Sequence, residues 1–272
     1  RAALPFAFAT AGMAVVVIVG GIDLSVASMM AVAAVTAAVL MERMSGAPAI
    51  LISLSVGLGM GLVNGALIVW TRVPDIVATL AMLYVWEGVA LLILNTPGGA
   101  TADWVEQGIR GFFLFEGLPN ALVVIVLGIA IVWLPLRRSK LGLWIYATGS
   151  DETAAFRSGV PVGRTKIVAY GICGLFCAMG GLSLAALTGI GEPVPGPYLL
   201  ASVAAVVLGG VVLSGGKGGL LGPIIAVFIL RIVRTILTFL AVDPNVTTII
   251  EGVIMVAVVM FGAAAAMRGA RR

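Results

Sequence analysis

The sequence predicts an all-α, polytopic membrane protein. Three observations carry this. Of 272 residues, 61% are hydrophobic and 10% are charged, against roughly 25% charged in soluble domains. Mean hydropathy is +1.19. The apolar runs are long and continuous, without the period-two alternation of a barrel strand, and helices or closed barrels alone satisfy the backbone in lipid.

Nine apolar segments follow in order: 2–21, 24–41, 49–70, 76–94, 121–136, 167–190, 199–213, 220–242 and 246–267. A spanning helix needs roughly 20 residues. Segments 121–136 and 199–213 fall short, so each is a half-helix or extends into its flanks. No signal-peptide charge pattern precedes the first segment, and the natural N-terminus is expected upstream. One transmembrane domain is expected over 1–272.

Basic residues set the orientation. Arg137, Arg138, Lys140, Arg157, Arg164 and Lys166 crowd the loop 137–166, and Arg268, Arg271 and Arg272 end the chain. Both regions are expected on the cytoplasmic side. The net charge of +4 therefore marks membrane orientation, not nucleic-acid binding. The loop 95–120 holds Arg110 against Asp103, Glu106 and Glu116, and is expected outside, with Phe112, Phe113 and Phe115 at the membrane interface. Span alternation then places 20–25, 71–75 and 214–219 inside, and 42–48, 191–198 and 243–245 outside.

The chain contains no histidine, which removes the commonest metal ligand and general base. Cys173 and Cys177 lie one helical turn apart in an apolar run and read as small helix residues. No metal, cofactor or catalytic residue is expected.

Two internal similarities suggest repeated halves, roughly 1–94 and 190–267. The stretch from Val19 to Ser25 resembles that from Leu208 to Ser214, and Asn64–Val69 resembles Glu251–Val256. Transporters commonly pair such halves around interrupted helices. Parallel and inverted arrangements both remain open.

The sharpest motif is Gly20-Gly21-Ile22-Asp23-Leu24-Ser25. Two glycines let the backbone leave helical geometry, and Asp23 and Ser25 can cap the next helix. An Asp between two apolar segments is costly unless it caps, pairs or meets water, so Asp23 caps a tight turn, lines a water-filled path, or does both. The glycine-rich stretch from Leu213 to Gly219 lacks the spacing of a phosphate-binding loop, since Val211 and Gly218 stand where Gly and Ser or Thr are required. Glu87, Arg231, Arg234 and Glu251 fall inside apolar spans, where such residues cost about 2.5–3.5 kcal/mol each. They are expected to pair, for example with Glu251 or Glu87 as partners of the arginines, or to meet a polar path. The polar stretch from Gly149 to Val160 is helix-compatible, with Ser150 or Asp151 to cap it and Gly159 to end it. So short a helix needs a docking partner.

Gly20 to Ser28 and Gly149 to Val160, followed by Leu208 to Gly218, resemble in order the motifs of permease subunits of bacterial ABC importers for monosaccharides, of the ribose, xylose, arabinose and galactose type. The resemblance implies a type II-like importer permease on the inner membrane. It implies pairing with a second permease copy or a paralogue, and docking of a periplasmic sugar-binding protein. A cytoplasmic ABC ATPase would carry ATP and Mg and seat the 149–160 segment as a coupling helix. The coupling residues implied are Asp151, Glu152, Ala155, Arg157 and Gly159. The path residues implied are Asp23, Ser25, Asn64, Ser214 and Arg234. Ala27 and Arg234 depart from the family pattern, which has Gly and an Asn-rich setting there. Arg234 points to a non-standard sugar, an acidic substrate or one half of a heterodimer. An ion-gradient transporter using Asp23, Glu87 and Glu251, and a related amino-acid or nucleoside permease, are the alternatives.

Overall fold

The computed structural model describes residues 1–113, 117–194, 196–243, 245–247, 249–254, 256–257 and 260. Phe115, Glu116, Arg268, Arg271 and Arg272 lie outside them. The described chain is helical: α1 Ala3–Ile18, α2 Val26–Met41, α3 Gly46–Thr71, α4 Asp75–Ile93, α5 Asp103–Arg110, α6 Asn120–Arg138, α7 Lys140–Ser150, α8 Glu152–Arg157, α9 Val162–Thr188, α10 Tyr198–Leu208 and α11 Leu221–Phe239. A further apolar helix, α12, runs Asn245–Ile254.

Among the described residues, five helices (α3, α4, α6, α9 and α11) are long and apolar enough to cross a membrane. Segment 121–136 extends into both flanks, and α6 reaches 19 residues. Segment 199–213 does not extend: α10 has 11 residues, about 16 Å of rise. Segments 2–21 and 24–41 also yield helices shorter than a full span, 16 residues each. Of these short helices, α1 lies inside and needs no lipid contact, whereas α10 leaves Leu200 and Leu208 exposed. Every residue of α1 is buried, and it packs against α9, α10, α11 and α6. The lipid-facing surface belongs to the outer helices. Trp70 of α3, Leu92 of α4, Ile131 of α6 and Phe239 of α11 are each more than two-thirds exposed. Apolar exposure on this scale suits hydrocarbon, not water.

The most extensive packing is between α3 and α9. Lipid offers little hydrophobic drive for helix association, so close backbone approach through small residues takes its place. Gly57, Gly61 and Gly65 repeat every fourth residue along α3. A Cβ at Gly61 would overlap the Tyr170 carbonyl, and one at Gly57 would meet the Gly174 carbonyl at 2.6 Å.

The loops sort to two ends. At one end, the Gly216 amide donates to the Ile18 carbonyl at 2.9 Å, and the Tyr146 hydroxyl donates to the Gly218 carbonyl at 2.7 Å. This end gathers 19–25, 72–75, 137–166 and 209–220. At the other, the Thr101 amide donates to Gly189 at 3.1 Å, Gly98 bridges Gly191, and Arg110 pairs with Glu106 at 2.6 Å while donating to the Leu187 carbonyl at 2.7 Å. Phe112 and Phe113 are both exposed there, and the Arg1 guanidinium lies 4.7 Å over the Phe112 ring.

Helices α1 and α10 end alike. Gly20 donates to the Val17 carbonyl and Gly21 to Val16; Gly210 donates to Val207 and Val211 to Val206. Gly20 has φ +93° and Gly210 has φ +81°, the left-handed region glycine occupies without strain at a helix C-terminus. Gly20 thus corresponds to Gly210, one residue beyond the match that residue identity suggests. The two stretches compared at Asn64 and Glu251 sit in different surroundings: Gly65 packs on the Ile167 backbone, whereas a Cβ on Gly252 would meet nothing within 4 Å.

Candidate functional site

The turn between α1 and α2 is built around Asp23. Its Oδ1 accepts from the Ser25 amide at 2.8 Å and from the Ser25 hydroxyl at 2.6 Å, the local loop that short acidic side chains form with the residue two ahead. Asn64 Nδ2 donates to Ser25 Oγ at 2.7 Å and reaches Asp23 Oδ2 at 3.4 Å. The other face of that amide is also used, because Trp86 Nε1 donates to Asn64 Oδ1 at 3.0 Å. The expected capping role is not what forms. Ser25 stands at the N-cap position of α2 but makes no side-chain cap bond. Its hydroxyl is spent on Asp23 and Asn64, and Asp23 Oδ1 is spent on Ser25.

The same turn is clamped from α4 and α9. The Leu24 amide donates to Thr79 Oγ1 at 3.0 Å, and Thr79 donates back to the Asp75 carbonyl at 2.7 Å. The Tyr170 hydroxyl donates to Asp75 Oδ2 at 2.9 Å. Gly21 passes close beneath this pair, and a Cβ there would lie 2.5 Å from both oxygens. Asp23, Ser25 and Asn64 are fully buried. The structure brings these three predicted path residues together as one hydrogen-bonded unit joining α2 to α3, and α4 is held to it through Trp86 and Thr79. Such a unit is costly to leave half-satisfied. Sequence reasoning missed Thr79, Trp86, Asp75 and Tyr170, because nothing in their spacing ties them to Asp23.

The polar stretch from Gly149 to Val160 forms a helix, as expected. Asp151 is its cap, with Oδ1 accepting from the Ala154 amide at 2.9 Å. Ser150 instead donates to the Tyr146 carbonyl. Gly159, at φ +83°, ends α8 in the left-handed conformation. Glu152 pairs with Lys166 at 2.7 Å, tying α8 to the start of α9. Ala155 is buried and turns inward, so it seats α8, and Arg157 is exposed. The largest exposed apolar side chain on α8 is Phe156, 71% exposed. The motif leaves that position unspecified, so sequence matching passes over it.

Helix α8 is not an isolated projection. Gly149, in the last turn of α7, touches both glycine turns. A Cβ on Gly149 would overlap the Ile18 carbonyl and lie 2.6 Å from the Gly216 amide nitrogen. A Cβ on Gly215 would fall 2.7 Å from the Gly149 carbonyl and 2.9 Å from Gly20 Cα. The end of α1, the 214–218 turn and the α7–α8 corner therefore meet backbone to backbone. Tyr146 reinforces the contact through Gly218. Burial pushes the Tyr146 phenol above its ordinary value, with Arg137 acting the other way, so its hydroxyl stays a donor at physiological pH. Ser214 is exposed on this same turn, ahead of α11, whereas Arg234 lies within α11.

Arg234 lines a cavity of about 440 Å³ with Phe6, Glu192, Tyr198, Arg231 and Glu251 among its walls. Arg234 Nε lies 3.5 Å from Glu251 Oε1, the ion pairing expected of charged residues within apolar spans. Among the described residues, no group of three or more His, Cys, Asp or Glu side chains is placed to hold a metal ion.

Comparison with known proteins agrees with this architecture. Residues 1–259 match the family model described as branched-chain amino acid transport system / permease component. The ribose import permease protein RbsC of Escherichia coli K12 is 32% identical over 254 residues, covering 92% of this chain and 79% of that protein. RbsC of Bacillus subtilis 168 is 33% identical over 254 residues, covering 92% and 78%. The autoinducer 2 import system permease protein LsrD of E. coli K12 is 32% identical over 261 residues, covering 91% and 77%. No solved structure matches. The chain belongs to the branched-chain amino acid transport system / permease component family, as a multi-pass membrane permease component of a bacterial ABC importer, with no catalytic centre of its own.

Proposed function

We propose that this chain forms, with a second copy or a paralogue, the translocation path for a monosaccharide delivered by a periplasmic binding protein. A separate cytoplasmic ATPase drives the cycle. The observation that carries the reading is α8, a six-residue helix with Phe156 exposed at its surface and a backbone junction to both glycine turns behind it. A helix this short has little stability of its own, so its retained cap, stop and ion pair argue for a surface kept to be docked. The end bearing α8 is the cytoplasmic one, and the 95–113, 189–194 and 196–197 segments face outside.

Asp151 and Gly159 shape α8 in this reading, Ala155 and Glu152 hold it against the protein, and Phe156 and Arg157 meet the ATPase. Asp23, Ser25 and Asn64 hold the break between α1 and α2 in place on the path. Ser214 belongs to the turn that answers to α8, and Arg234 faces the path directly. The matching chain reversals at Gly20 and Gly210 support two repeated halves within one transmembrane domain. The sugar assignment is supported by the resemblance to permeases named for ribose import. The family description names branched-chain amino acids instead, and uptake assays with D-ribose and L-leucine separate these two readings.

The test is co-purification. The tagged chain, expressed with its neighbouring genes, is expected to bring down an ATPase from mild detergent. Phe156→Arg places a charge in the centre of the docking surface and is expected to release the ATPase, while the variant elutes at the same position on size exclusion. Full retention of the ATPase by that variant would remove α8 as the docking element.

A further inference from the structure

Of the four charged side chains that fall within apolar spans, Arg234 and Glu251 meet each other at 3.5 Å. Glu87 of α4 and Arg231 of α11 enter no ion pair among the described residues. Glu192 lines the same chamber as Arg231 without pairing with it. Arg231 rests its guanidinium 5.6 Å over the Phe6 ring, and its Nε is buried with no hydrogen-bond partner among the described residues. A lone charge within a span is costly against lipid and calls for a partner or water. The two leftover charges are of opposite sign and stand on different helices. Helix α4 packs against α2 and α3, α2 touches α10, and α10 packs against α11, so the contacts run in series from one helix to the other. Both helices have 19 residues, and both start at the end bearing α8. Glu87 is the thirteenth residue of α4 and Arg231 the eleventh of α11, which sets them about 3 Å apart in depth at 1.5 Å of rise per residue. Glu87 shares a helix face with Leu80, Tyr84 and Leu91, all exposed, at the 4-3-4 spacing of a packing seam. Arg231 shares its face with Arg234, Thr235 and Thr238, all exposed. A stripe of two arginines and two threonines is a poor surface for hydrocarbon.

We propose that α4 of one copy packs against α11 of a second copy of this chain, with Glu87 of each reaching Arg231 of the other. The inference rests on the importer reading and deepens it by naming the partner and the surface. Two permeases of the same membrane orientation that close as a pair are related by a twofold axis, and that axis lies along the membrane normal. Rotation about it leaves every residue at its own depth. A charge on one copy can therefore be matched only by a charge at the same level on the other, a condition that Glu87 and Arg231 meet. The symmetry forms the pair twice and uses both leftover charges of each copy. A lone carboxylate and a lone cation on one chain make the surface complementary to itself, which selects a second copy over a paralogue.

The test co-expresses two differently tagged copies of the full chain. In membranes that also hold the ATPase, one copy carries Glu87→Cys and the other Arg231→Cys. A membrane-permeant bis-methanethiosulfonate with a short spacer is expected to join them into one species bearing both tags. Two Glu87→Cys copies, or two Arg231→Cys copies, are expected to join far less. Cys173 and Cys177 are buried and contribute little background. The second measurement is recovery of one tag through the other from mild detergent, without the ATPase, so that nothing else bridges the copies. Glu87→Arg alone and Arg231→Glu alone each set like charges against each other, and each is expected to lower recovery by at least about tenfold. Both changes in every copy restore opposite charges and are expected to return recovery close to that of the original chain. Two groups that each face a water-filled path without meeting would instead show losses that add. Additive losses in the exchanged pair would overturn the proposal, as would cross-linking of like variants as strong as that of unlike ones. So would failure of the two tags to recover each other while the ATPase and a different permease chain co-purify, an outcome that leaves the importer reading standing with a paralogue as partner. Purification of the original chain with neither an ATPase nor another permease would remove the importer reading itself, and this interface with it.

Discussion

Gly149→Ala is expected to abolish uptake while leaving the ATPase bound. The new Cβ would overlap the Ile18 carbonyl and lie 2.6 Å from the Gly216 nitrogen. Neither neighbour is the flexible end of a side chain. One is the carbonyl that closes α1 and the other is the amide that satisfies it, so relief requires the end of α1 and the 214–218 turn to separate. Overpacking of this kind costs about 1–3 kcal/mol, here concentrated at the junction between α8 and both turns. Phe156 and Arg157 lie beyond it on the exposed surface, so docking survives. In proteoliposomes holding the whole importer, uptake is expected to fall at least about tenfold, the rate equivalent of about 1.4 kcal/mol. ATP hydrolysis is expected to persist without stimulation by loaded binding protein. Normal uptake by Gly149→Ala would show that the close approach is not used in coupling.

Asp23→Ala is expected to give the largest loss of stability among the polar residues. The change strips an acceptor from the Ser25 amide and hydroxyl and from Asn64, all fully buried. Leaving such donors unpaired costs about 1–3 kcal/mol each where no water replaces the partner. A total near 3 kcal/mol corresponds to a fall of about 6–12 °C in Tm for a chain of this size. Asn64→Leu is expected to behave similarly, since Trp86 and Ser25 both lose a partner. Asp23→Asn retains the shape and one acceptor and is expected to lose less than half as much. Thermal unfolding in detergent, followed by tryptophan fluorescence, reads all three. A pronounced uptake defect in Asp23→Asn with unchanged Tm would instead make the carboxylate itself part of the path.

Much of the helical plan was legible in the sequence because lipid imposes a simple code: long apolar runs, basic loops on one side, glycines at breaks. The ordering of loops to two ends follows from that code and matches the contacts at Ile18–Gly216 and Gly98–Gly191. Helix α7 was not legible. Lys140 and the flanking arginines read as loop, although Ser139 accepts from the Gly142 amide at 3.2 Å as an ordinary N-cap. The four-residue spacing of Gly57, Gly61 and Gly65 was available as a packing signal for α3. The partner of that stripe was not, because no local rule pairs it with Gly174 and Tyr170. The 149–160 segment was readable to a cap at Ser150 or Asp151 and a stop at Gly159, since those depend on neighbours in the chain; the choice of Asp151 came from the structure. The burial of Ala155 and the exposure of Phe156 depend on where α9 lies, which spacing alone does not reveal.

The most direct measurement is sugar uptake into proteoliposomes containing this permease, its ATPase and its binding protein, with internal ATP and with all ion gradients collapsed by ionophores. Accumulation of a neutral monosaccharide that requires ATP, requires the binding protein and is lost in Phe156→Arg is the predicted result. Uptake that continues without ATP and stops when the ion gradients are collapsed would contradict it, and would shift attention to Asp23, Glu87 and Glu251 as ion-coupling carboxylates.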